Sequence, residues 1–488
     1  MKPLKKIPVI LLLLVLFFCL HGTVENYGFI DLREVVLVGL LSLCCLIIFY
    51  LIVLLLTNDY LFASLLVFFV GAWYLFFVAI HDTITSTPFL LFLRKYIVLL
   101  PALLAITVAW VVLLKRKKAW RGRVLLYFNV LLLIYCSIDT VQLLRKHFST
   151  SQLKPNVTGA FDITAVKSKP NVYFLLFDAY PGPTTLRDSF AFSNENFYSF
   201  LKQQEFKILP TYSNYDFTVF SMSSVLNMQY VPADYDPHKL TQHDIQCRVN
   251  EIRNGAVFSI FKKMGYSLAN YSVFDIDDQH SISGENSFLP VHSRMLTDKI
   301  LHNRILRTSG KLFENAIPFL NRKARYEHDK DNLYAEKQVL ALSTQKRTAP
   351  VFCYAHFMMP HDPFYRDSTG KPNPDAFLDD RYNGSKELFL AYLKYTNTVI
   401  EKLVNNIRTN DTAAIIVLMS DHGSRFYGPA KKHNPYNHDN FCAVFYPNKN
   451  YLPTGEKWST VNFFRYLFNS QFGQKLPYLD DRIEVIKE

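Results

Sequence analysis

Cysteine is scarce in this sequence, and the cysteines that are present form no pattern. Four of the seven lie in long apolar runs, at Cys19, Cys44, Cys45 and Cys136. The other three are far apart, at Cys247, Cys353 and Cys442, and no CxxC pair occurs. The sequence therefore predicts neither a disulfide framework nor a cysteine-based metal site. We expect small buried side chains at these positions.

Charge is also sparse, at 19% of the residues, and it is unevenly distributed. Residues 1–150 contain 14 Lys+Arg and 6 Asp+Glu, a net charge of +8, whereas the remainder contains 39 and 35, a net charge of +4. Much of the positive excess lies beside apolar runs, which is typical of membrane topology rather than of a nucleic-acid surface. We therefore expect no nucleic-acid partner.

The apolar runs fall into five segments, at 7–20, 35–56, 60–80, 96–114 and 124–144. Four of them approach the roughly 20 residues that one bilayer crossing requires. The first is shorter and follows three lysines, so it resembles a signal-peptide core. No A-x-A-like cleavage site follows it, which favours an uncleaved helix. The sequence thus predicts a five-helix transmembrane domain at 1–146, a linker at 147–169 and a further domain at 170–488.

Positive charge predicts the orientation of this membrane domain. The N-terminal lysines mark one cytoplasmic end, and the basic loop 115–123 marks another. An odd number of crossings then places the chain after Leu144 outside. We expect a multi-pass protein of the plasma or inner membrane, whose second domain is periplasmic or extracellular. Asp139 is expected at the membrane interface, with a functional membrane carboxylate as the alternative.

After the linker, predicted strands alternate with predicted helices. Strands are expected at 171–178, 266–274, 350–357 and 413–419, and helices at 194–204, 257–263 and 386–406. The first strand is a continuous apolar run, as expected of a strand buried on both faces. Alternation of this kind predicts an α/β sandwich around a mostly parallel central sheet.

Polar residues follow three of these strands. Asp178 comes directly after the first, His361 follows the third after a short loop, and Asp421 and His422 follow the fourth. Ligands gather beyond the carboxyl ends of such strands, so these side chains are expected to converge. Carboxylate oxygen and imidazole nitrogen suit Zn²⁺ or Mn²⁺. Each residue by itself is equally compatible with a hydrogen-bonded turn or a helix cap.

A hydroxyl-rich stretch at 212–228 leads into an apolar helical pattern. Thr218 falls near the expected helix start, where the dipole and the free N–H groups favour an oxyanion. The alternative is a simple N-cap cluster. Four other hydroxyls compete within this stretch, at Ser213, Ser221, Ser223 and Ser224. Ser221 lies one turn further in and is expected to support the backbone.

The loop from His356 to Phe364 contains two histidines and two prolines. A rigid loop of this kind can aim an imidazole at a phosphate or at a leaving group. A buried structural role is the alternative, and it is favoured more for His356 than for His361. Three further residues, His433, His438 and Asn440, come shortly after Asp421 and His422. They are candidates for contact with substrate, with an ordinary loop role as the alternative.

Taken together, these motifs resemble the alkaline phosphatase/sulfatase superfamily, in particular its membrane-anchored sulfatase-like transferases. The resemblance runs from about Pro170 to the end of the chain. Thr218-x-x-Ser221-Met222 is similar to the T-x-x-S-L turn of phosphoethanolamine transferases, whose threonine is the nucleophile. The segment from His361 to Phe364 resembles the H-x-P-[FY] loop of those enzymes and of lipoteichoic acid synthases.

Two departures from these families limit what the resemblance implies. The transferases usually have Glu at the first ligand position, where this chain has Asp178. Sulfatases carry paired acids there, whereas Ala179 follows here, and they need a C/S-x-P-x-R motif that the 218–222 segment lacks. Hydrolysis of sulfate esters is therefore disfavoured, and no subfamily's substrate can be assigned.

The resemblance implies a divalent metal, Zn or Mn, held by Asp178, Thr218, Asp421 and His422. It further implies that Thr218 attacks phosphorus to form a phosphothreonine ester, while His361 binds an oxygen or protonates the leaving alcohol. The leading interpretation is a transferase that moves a phospho-group, such as a lipid head group, from a membrane lipid to an envelope glycan or lipid. The alternatives are a phosphodiesterase or phosphatase, and a non-catalytic membrane scaffold. Oligomeric state stays open.

Overall fold

A computed structural model describes residues 8–27, 30–149, 157–233, 235–237, 240–282, 293–305, 326–378, 382–425 and 434–486. The chain divides into two units. The first comprises Met1–Gln152 and Asn286–Pro318, and the second comprises Leu153–Glu285 and Phe319–Glu488. The first unit therefore includes a segment that the sequence analysis placed in the domain at 170–488. The expected boundaries of the membrane domain, the linker and the following domain stay predictions.

The first unit is helical. Its helices are α1 (Val9–Glu25), α2 (Leu32–Thr57), α3 (Tyr60–Leu75), α4 (Phe77–Ser86), α5 (Tyr96–Arg116) and α6 (Arg121–Ser149). Among the described residues, three helical stretches are long and apolar enough to cross a membrane: Leu32–Thr57, Tyr96–Arg116 and Lys118–Lys146. The pair α3 and α4 adds a fourth candidate if it forms one span, although it is bent by 62°. Helix α1 is shorter, at 17 residues, so the expected count of five is not confirmed.

The segment 293–305 packs within this helical unit. Leu296, on the short helix Arg294–Thr297, is buried against α1, where a Cβ at Gly22 would lie 2.1 Å from a Leu296 methyl group. The backbone N–H of Val78 donates to the carbonyl of Lys299 at 3.2 Å, and Lys299 also pairs with Glu25. This bond forms at the start of α4, where the first amides of a helix lack partners within it. The bond therefore satisfies one backbone N–H group that the break between α3 and α4 leaves without a helical acceptor.

Asp139 lies on α6 and is buried within the helical unit. Its Oδ2 atom is 3.3 Å from Nδ1 of His21 on α1. A buried carboxylate is expected to have such a partner. Its predicted place at a membrane interface stays a prediction.

The second unit contains a six-stranded sheet in the part of the chain that the structure describes. The strands are β1 (Val172–Phe177), β2 (Lys207–Ile208), β4 (Ser267–Tyr271), β5 (Val351–Phe357), β6 (Ile415–Met419) and β7 (Cys442–Phe445), in the order β2-β7-β6-β1-β5-β4. The four strands β6, β1, β5 and β4 are mutually parallel, and β7 and β2 add an antiparallel edge. The mostly parallel sheet is confirmed. A small separate sheet pairs β3 (Thr211–Tyr212) with β8 (Trp458–Ser459).

Helices cover both faces of this sheet. They are α7 (Val157–Ala160), α8 (Pro183–Asp188), α9 (Glu195–Gln203), α10 (Thr218–Asn227), α11 (Gln242–Arg253), α12 (Ala256–Lys263), α13 (Glu327–Thr344), α14 (Lys386–Asn410) and α15 (Phe463–Gln471).

The central strand β1 shows how the two cores form. Side chains of successive residues point to opposite faces, so Tyr173, Leu175 and Phe177 pack against α9, α13 and α14. Phe174 and Leu176 face the other way, towards α10, α12 and α15. All six residues of β1 are buried, which is why its sequence is apolar throughout rather than alternating. The polar residues that follow β1, β5 and β6 then emerge at one edge of the sheet.

Candidate active site

Asp178 follows the central strand β1 and is only 1% exposed. Its backbone N–H donates to the carbonyl of Phe357 at 2.9 Å, which extends the ladder between β1 and β5 by one bond. Its Oδ2 lies 3.3 Å from Nε2 of His356. Its Oδ1 has no hydrogen-bond partner among the described residues. Burial opposes ionisation of this carboxyl, but the nearby rings of His361 and His356 outweigh burial and hold the pKa of Asp178 well below its usual value.

Asp421 lies beyond the neighbouring strand β6 and is completely buried. Its Oδ1 accepts a hydrogen bond from the backbone N–H of Ala179 at 3.0 Å, which ties the loop after β6 to the loop after β1. Ala179 adopts a left-handed conformation with φ of 56°, an unfavourable backbone region for a residue with a side chain. The other oxygen, Oδ2, has no hydrogen-bond partner within the described part of the chain.

The hydrogen bond of His422 determines which of its ring nitrogens is protonated. Nδ1 lies 2.7 Å from the carbonyl oxygen of Gly423. A carbonyl oxygen only accepts, so Nδ1 carries the hydrogen and Nε2 keeps its lone pair in the neutral ring. This Nε2 lies 3.3 Å from Oδ2 of Asp421. A cation placed between these two atoms would accept a lone pair from each of them.

Gly423 allows this turn to form. A Cβ at position 423 would lie 2.2 Å from the carbonyl oxygen of Tyr436 and 2.7 Å from that of Asp439. The backbone N–H of Gly423 also donates to the carbonyl of Asn437 at 2.7 Å. The segment around residues 436–439 therefore lies directly against the turn that carries the Asp-His pair, and it leaves no room for a side chain.

Asp178, Asp421 and His422 fit a divalent metal ion. One ligand atom from each residue lies within 4.8 Å of the others, and all three side chains are buried. Two buried carboxylates without a cation would carry a large desolvation penalty. The two partnerless oxygens, and Nε2 of His422 in its neutral form, offer the lone pairs that Zn²⁺ or Mn²⁺ accepts. The structure brings these three residues together. Their role as metal ligands stays a prediction, and the donor set does not distinguish Zn from Mn.

Thr218 begins helix α10, as the sequence predicts. Its Oγ1 lies 3.4 Å from Nε2 of His422, which places it beside the three metal-binding candidates. Of the five competing hydroxyls, all within the described residues, only Thr218 is partly exposed; the others, Ser213, Ser221, Ser223 and Ser224, are at most 2% exposed. Ser221 donates to the backbone carbonyl of Asp421 at 2.6 Å, which is the supporting contact expected of it.

The two histidines of the 356–364 loop have different environments. His356 is buried between the hydroxyl of Tyr354 and the carboxylate of Asp178, each at 3.3 Å. It therefore positions Asp178, and a contact with substrate stays a prediction. His361 is 26% exposed at its side chain, and its Nδ1 lies 2.6 Å from the carbonyl of Asp362. Burial lowers the pKa of His361, but the carboxylates of Asp178 and Asp362 outweigh it and raise that pKa overall.

The three remaining substrate-binding candidates receive no direct support. His433 lies outside the described residues. His438 is buried, and its Nδ1 lies 2.9 Å from the carbonyl of Ser213. Asn440 accepts from the hydroxyl of Thr211 at 2.9 Å and donates to the carbonyl of Ser420 at 2.8 Å. These contacts hold the loops of the site together, and contact with substrate stays a prediction for all three residues.

Arg425 is a residue of this region that sequence reasoning missed. It lies four positions after Asp421, and its guanidinium carbon is 5.6 Å from the ring centroid of Phe217, the residue before Thr218. Its charge also acts on His361. A single arginine in a loop forms no distinctive sequence pattern. Only the short spacing between Asp421 and Arg425 could have indicated that Arg425 lies near the site.

Comparison with known proteins finds a family match over part of the chain that carries this site. The model of the sulfatase family matches residues 252–458, somewhat less than half of the chain. This range contains His361, Asp421 and His422. No protein of curated function matches the sequence.

Several solved structures are distantly similar. The C-terminal periplasmic domain of EcEptC from Escherichia coli, in complex with Zn, has 11% identity and a TM-score of 0.41, over 63% of this chain and 84% of that one. The phosphonate monoester hydrolase SpPMH from Silicibacter pomeroyi has 12% identity and a TM-score of 0.41, over 64% and 76%. The C-terminal periplasmic domain of the phosphoethanolamine transferase EptC from Campylobacter jejuni has 12% identity and a TM-score of 0.39, over 64% and 92%.

The family match includes two of the three buried ligand candidates, Asp421 and His422, whereas Asp178 lies before the matched range. Residues 252–458 of the chain match the sulfatase family, which agrees with the resemblance of the site motifs to the alkaline phosphatase/sulfatase superfamily.

Proposed function

We propose that this protein is a membrane-anchored, metal-dependent phospho-group transferase whose nucleophile is Thr218. One observation carries the proposal: the partly exposed hydroxyl of Thr218 lies 3.4 Å from Nε2 of His422, beside Asp178 and Asp421. No other hydroxyl of the described 212–228 stretch combines exposure with this position.

Asp178, Asp421 and His422 would hold the metal. A divalent ion bound there lowers the pKa of an adjacent hydroxyl and offsets negative charge on a phosphoryl group. Backbone groups of the protein fix the orientation of these ligands. The Ala179 amide holds one oxygen of Asp421, and the Gly423 carbonyl keeps the lone pair of His422 on Nε2.

Thr218 attacks phosphorus in line with the leaving alcohol. The Thr218 hydroxyl gives up its proton to solvent, the bond from Oγ1 to phosphorus forms, the bond from phosphorus to the leaving oxygen breaks, and a phosphothreonine ester results. The position of Thr218 at the first residue of α10 supports the negative charge that develops, because the first amides of a helix are unpaired and the dipole is positive there.

His361 assists the leaving group. Its Nδ1 is engaged with the carbonyl of Asp362 at 2.6 Å, which fixes the ring and leaves Nε2 as the atom that meets substrate. From there, the ring binds a non-bridging oxygen or donates a proton to the departing alcohol. A second alcohol then attacks the phosphothreonine and regenerates Thr218.

The apolar helices of the first unit favour a lipid as donor, because they keep the enzyme at the bilayer. We propose an envelope glycan or lipid as acceptor. The basic residues at the end of α5 and after it support an orientation with the catalytic domain in the periplasm or outside. If water replaces the acceptor, the same site is a phosphodiesterase. Asp178 supports this second candidate function, because the transferases that this chain resembles usually have Glu at that position.

Mass spectrometry tests the nucleophile directly. The full-length protein, purified in detergent with Zn²⁺, is mixed with bis(4-nitrophenyl) phosphate, quenched in acid and digested. The expected result is a phosphoryl adduct on the peptide that contains Thr218, retained in Thr218→Ser and lost in Thr218→Ala. An adduct on a different residue, or full turnover by Thr218→Ala, would overturn the assignment.

A further inference from the structure

Asn437 connects the two chain segments that meet at the site. It is 1% exposed, and its side-chain Nδ2 donates to Oδ2 of Asp216 at 3.0 Å. Its backbone carbonyl accepts from the N–H of Gly423 at 2.7 Å. Asp216 lies two positions before Thr218, and Gly423 directly follows His422. One buried asparagine is therefore bonded both to the segment that leads into the proposed nucleophile and to the turn that carries two of the ligand candidates.

The same two segments are paired again at a second position. The backbone N–H of Ser213 donates to the carbonyl of His438 at 2.8 Å, and Nδ1 of His438 lies 2.9 Å from the carbonyl of Ser213. The bond between Asp216 and Asn437 lies nearer to Thr218 along the chain, and both of its partners are side chains. Substitution can therefore remove this bond without altering the backbone contacts beside it.

The start of helix α10 is not fixed by a local cap. Its N-cap residue, Phe217, makes no side-chain capping bond. A helix start of this kind depends on the chain that precedes it and on packing. Asp216 directly precedes Phe217 and is 5% exposed. A buried carboxylate is costly unless donors satisfy it, so the amide of Asn437 holds the chain at the point where it enters α10.

We infer that Asp216 and Asn437 are positioning residues for the proposed transfer: their hydrogen bond sets the place of the Thr218 hydroxyl relative to Nε2 of His422. The inference rests on the proposed function and adds to it two residues outside the ligand set. Both act through Thr218, and neither is assigned a contact with phosphorus or metal. In-line attack depends on separation and alignment, so a shift of about 1 Å lowers the rate of attack while substrate binding changes little.

Exchange of donor and acceptor tests the pair. Steady-state kinetics uses the full-length, Zn-loaded protein in detergent at alkaline pH, with bis(4-nitrophenyl) phosphate as probe. Asn437→Asp places two carboxylates opposite each other, so we expect kcat to fall by about 10- to 100-fold, with KM within about threefold of wild type and zinc content unchanged. The double variant Asp216→Asn, Asn437→Asp restores one donor and one acceptor and should recover most of the lost kcat. A pair that only stabilised the fold would lower the unfolding temperature and leave kcat of the folded protein unchanged.

Asn171 and Asp411 offer a matched control. Nδ2 of Asn171 donates to Oδ2 of Asp411 at 2.7 Å. These two residues precede β1 and β6, at the opposite end of the strands from Asp178 and Asp421. Asn171→Asp likewise places two carboxylates opposite each other. It should lower the unfolding temperature but leave kcat of the folded protein within about twofold, because this change is remote from the reacting groups.

Hydrogen exchange separates this inference from the proposed function. Amides of a peptide that spans 213–225 should exchange faster in Asn437→Asp than in wild type and return to the wild-type rate in the double variant, while those of α14 stay unchanged. If wild type does not turn over the probe but this pattern is found, the proposed function fails and the positioning pair stands. Unchanged exchange in Asn437→Asp would overturn the pair, as would, in an active wild type, an unchanged kcat or a loss that the double variant does not recover.

Two further variants keep the test decisive if Asn437→Asp does not fold. Asn437→Ala removes the donor without adding a charge, and it should show the loss of kcat expected of a broken bond. Asp216→Asn keeps an acceptor for the amide of Asn437, and it should stay near wild type. Equal kcat in these two variants would overturn the pair.

Discussion

The hydroxyl of Ser221 donates a hydrogen bond to the backbone carbonyl of Asp421 at 2.6 Å. This bond links the first turn of α10, which begins with Thr218, to the loop that carries two of the three candidate metal ligands. One hydrogen bond between residues 200 positions apart in the chain thus fixes the proposed nucleophile relative to the proposed metal ligands.

Ser221→Ala should weaken this link without removing chemistry. The buried carbonyl of Asp421 loses its hydroxyl donor, which costs about 1 kcal/mol of unfolding free energy. We expect a lower urea midpoint of the catalytic unit and a loss of turnover of about tenfold or less, because Thr218 remains present. Abolished activity in Ser221→Ala, with normal stability, would instead identify Ser221 as the nucleophile.

Thr218→Ala should lower turnover by several orders of magnitude, because the covalent route is lost. Thr218→Ser should keep part of the activity, since its hydroxyl can occupy the same place. Turnover of bis(4-nitrophenyl) phosphate measures both variants. Thr218 is partly exposed at a helix start, so neither change should alter the far-ultraviolet circular dichroism spectrum. Near wild-type turnover in Thr218→Ala would contradict the proposal.

Metal content should depend on Asp421 and His422 together. We expect one tightly bound Zn²⁺ or Mn²⁺ per chain in the wild type, and no stoichiometric metal in the Asp421→Ala, His422→Ala double variant. The fold should survive, because the double variant removes the Asp421 and His422 side chains together with the metal that they would bind. Neither side chain is then left buried without its ionic partner. Elemental analysis by mass spectrometry after gel filtration measures the metal. Unchanged metal content would mean that the wrong cluster was chosen.

Gly423→Ala should disturb the site through the backbone alone. The added Cβ would meet the carbonyl oxygen of Tyr436 at 2.2 Å, so the 436–439 segment must move, at a cost of about 1–3 kcal/mol. Gly455→Ala is the control, since nothing lies within 4 Å of a Cβ there. Thermal unfolding and zinc affinity should both fall in the first variant and stay unchanged in the second. Equal behaviour of the two variants would contradict the close approach at Gly423.

Membrane topology can be measured with reporter fusions. A reporter that is active only outside the cytoplasm should be active after Lys146 and inactive after Lys118, since the basic loop 115–123 is expected inside. Activity with the opposite pattern would refute the proposed orientation, and with it the lipid donor on the outer face.

Much of the fold could be predicted from local pattern. The expected strand at 350–357 was found as Val351–Phe357, and the expected helix at 386–406 as Lys386–Asn410, because hydrophobic periodicity extends over many residues in both. The antiparallel strands β7 and β2 were missed. They span four and two residues, and so short an apolar run does not distinguish a strand from a loop. The continuous third apolar segment was also found broken into α3 and α4, because hydropathy reports composition and not the path of the backbone.

The amino-acid sequence by itself determined that Asp178, Asp421 and His422 follow buried strands, since parallel strands bring their carboxyl ends to one edge. The sequence favoured Thr218 among the hydroxyls of the 212–228 stretch by its place at a helix start and by its motif. Only the tertiary structure shows that Thr218 is partly exposed and lies beside His422, because this depends on packing between residues about 200 positions apart. The tertiary structure also placed His356 against Asp178 and Arg425 over Phe217. The physical reason is the same in each case: strand and helix patterns are local in the chain, whereas contacts between loops arise only after the sheet has brought those loops together.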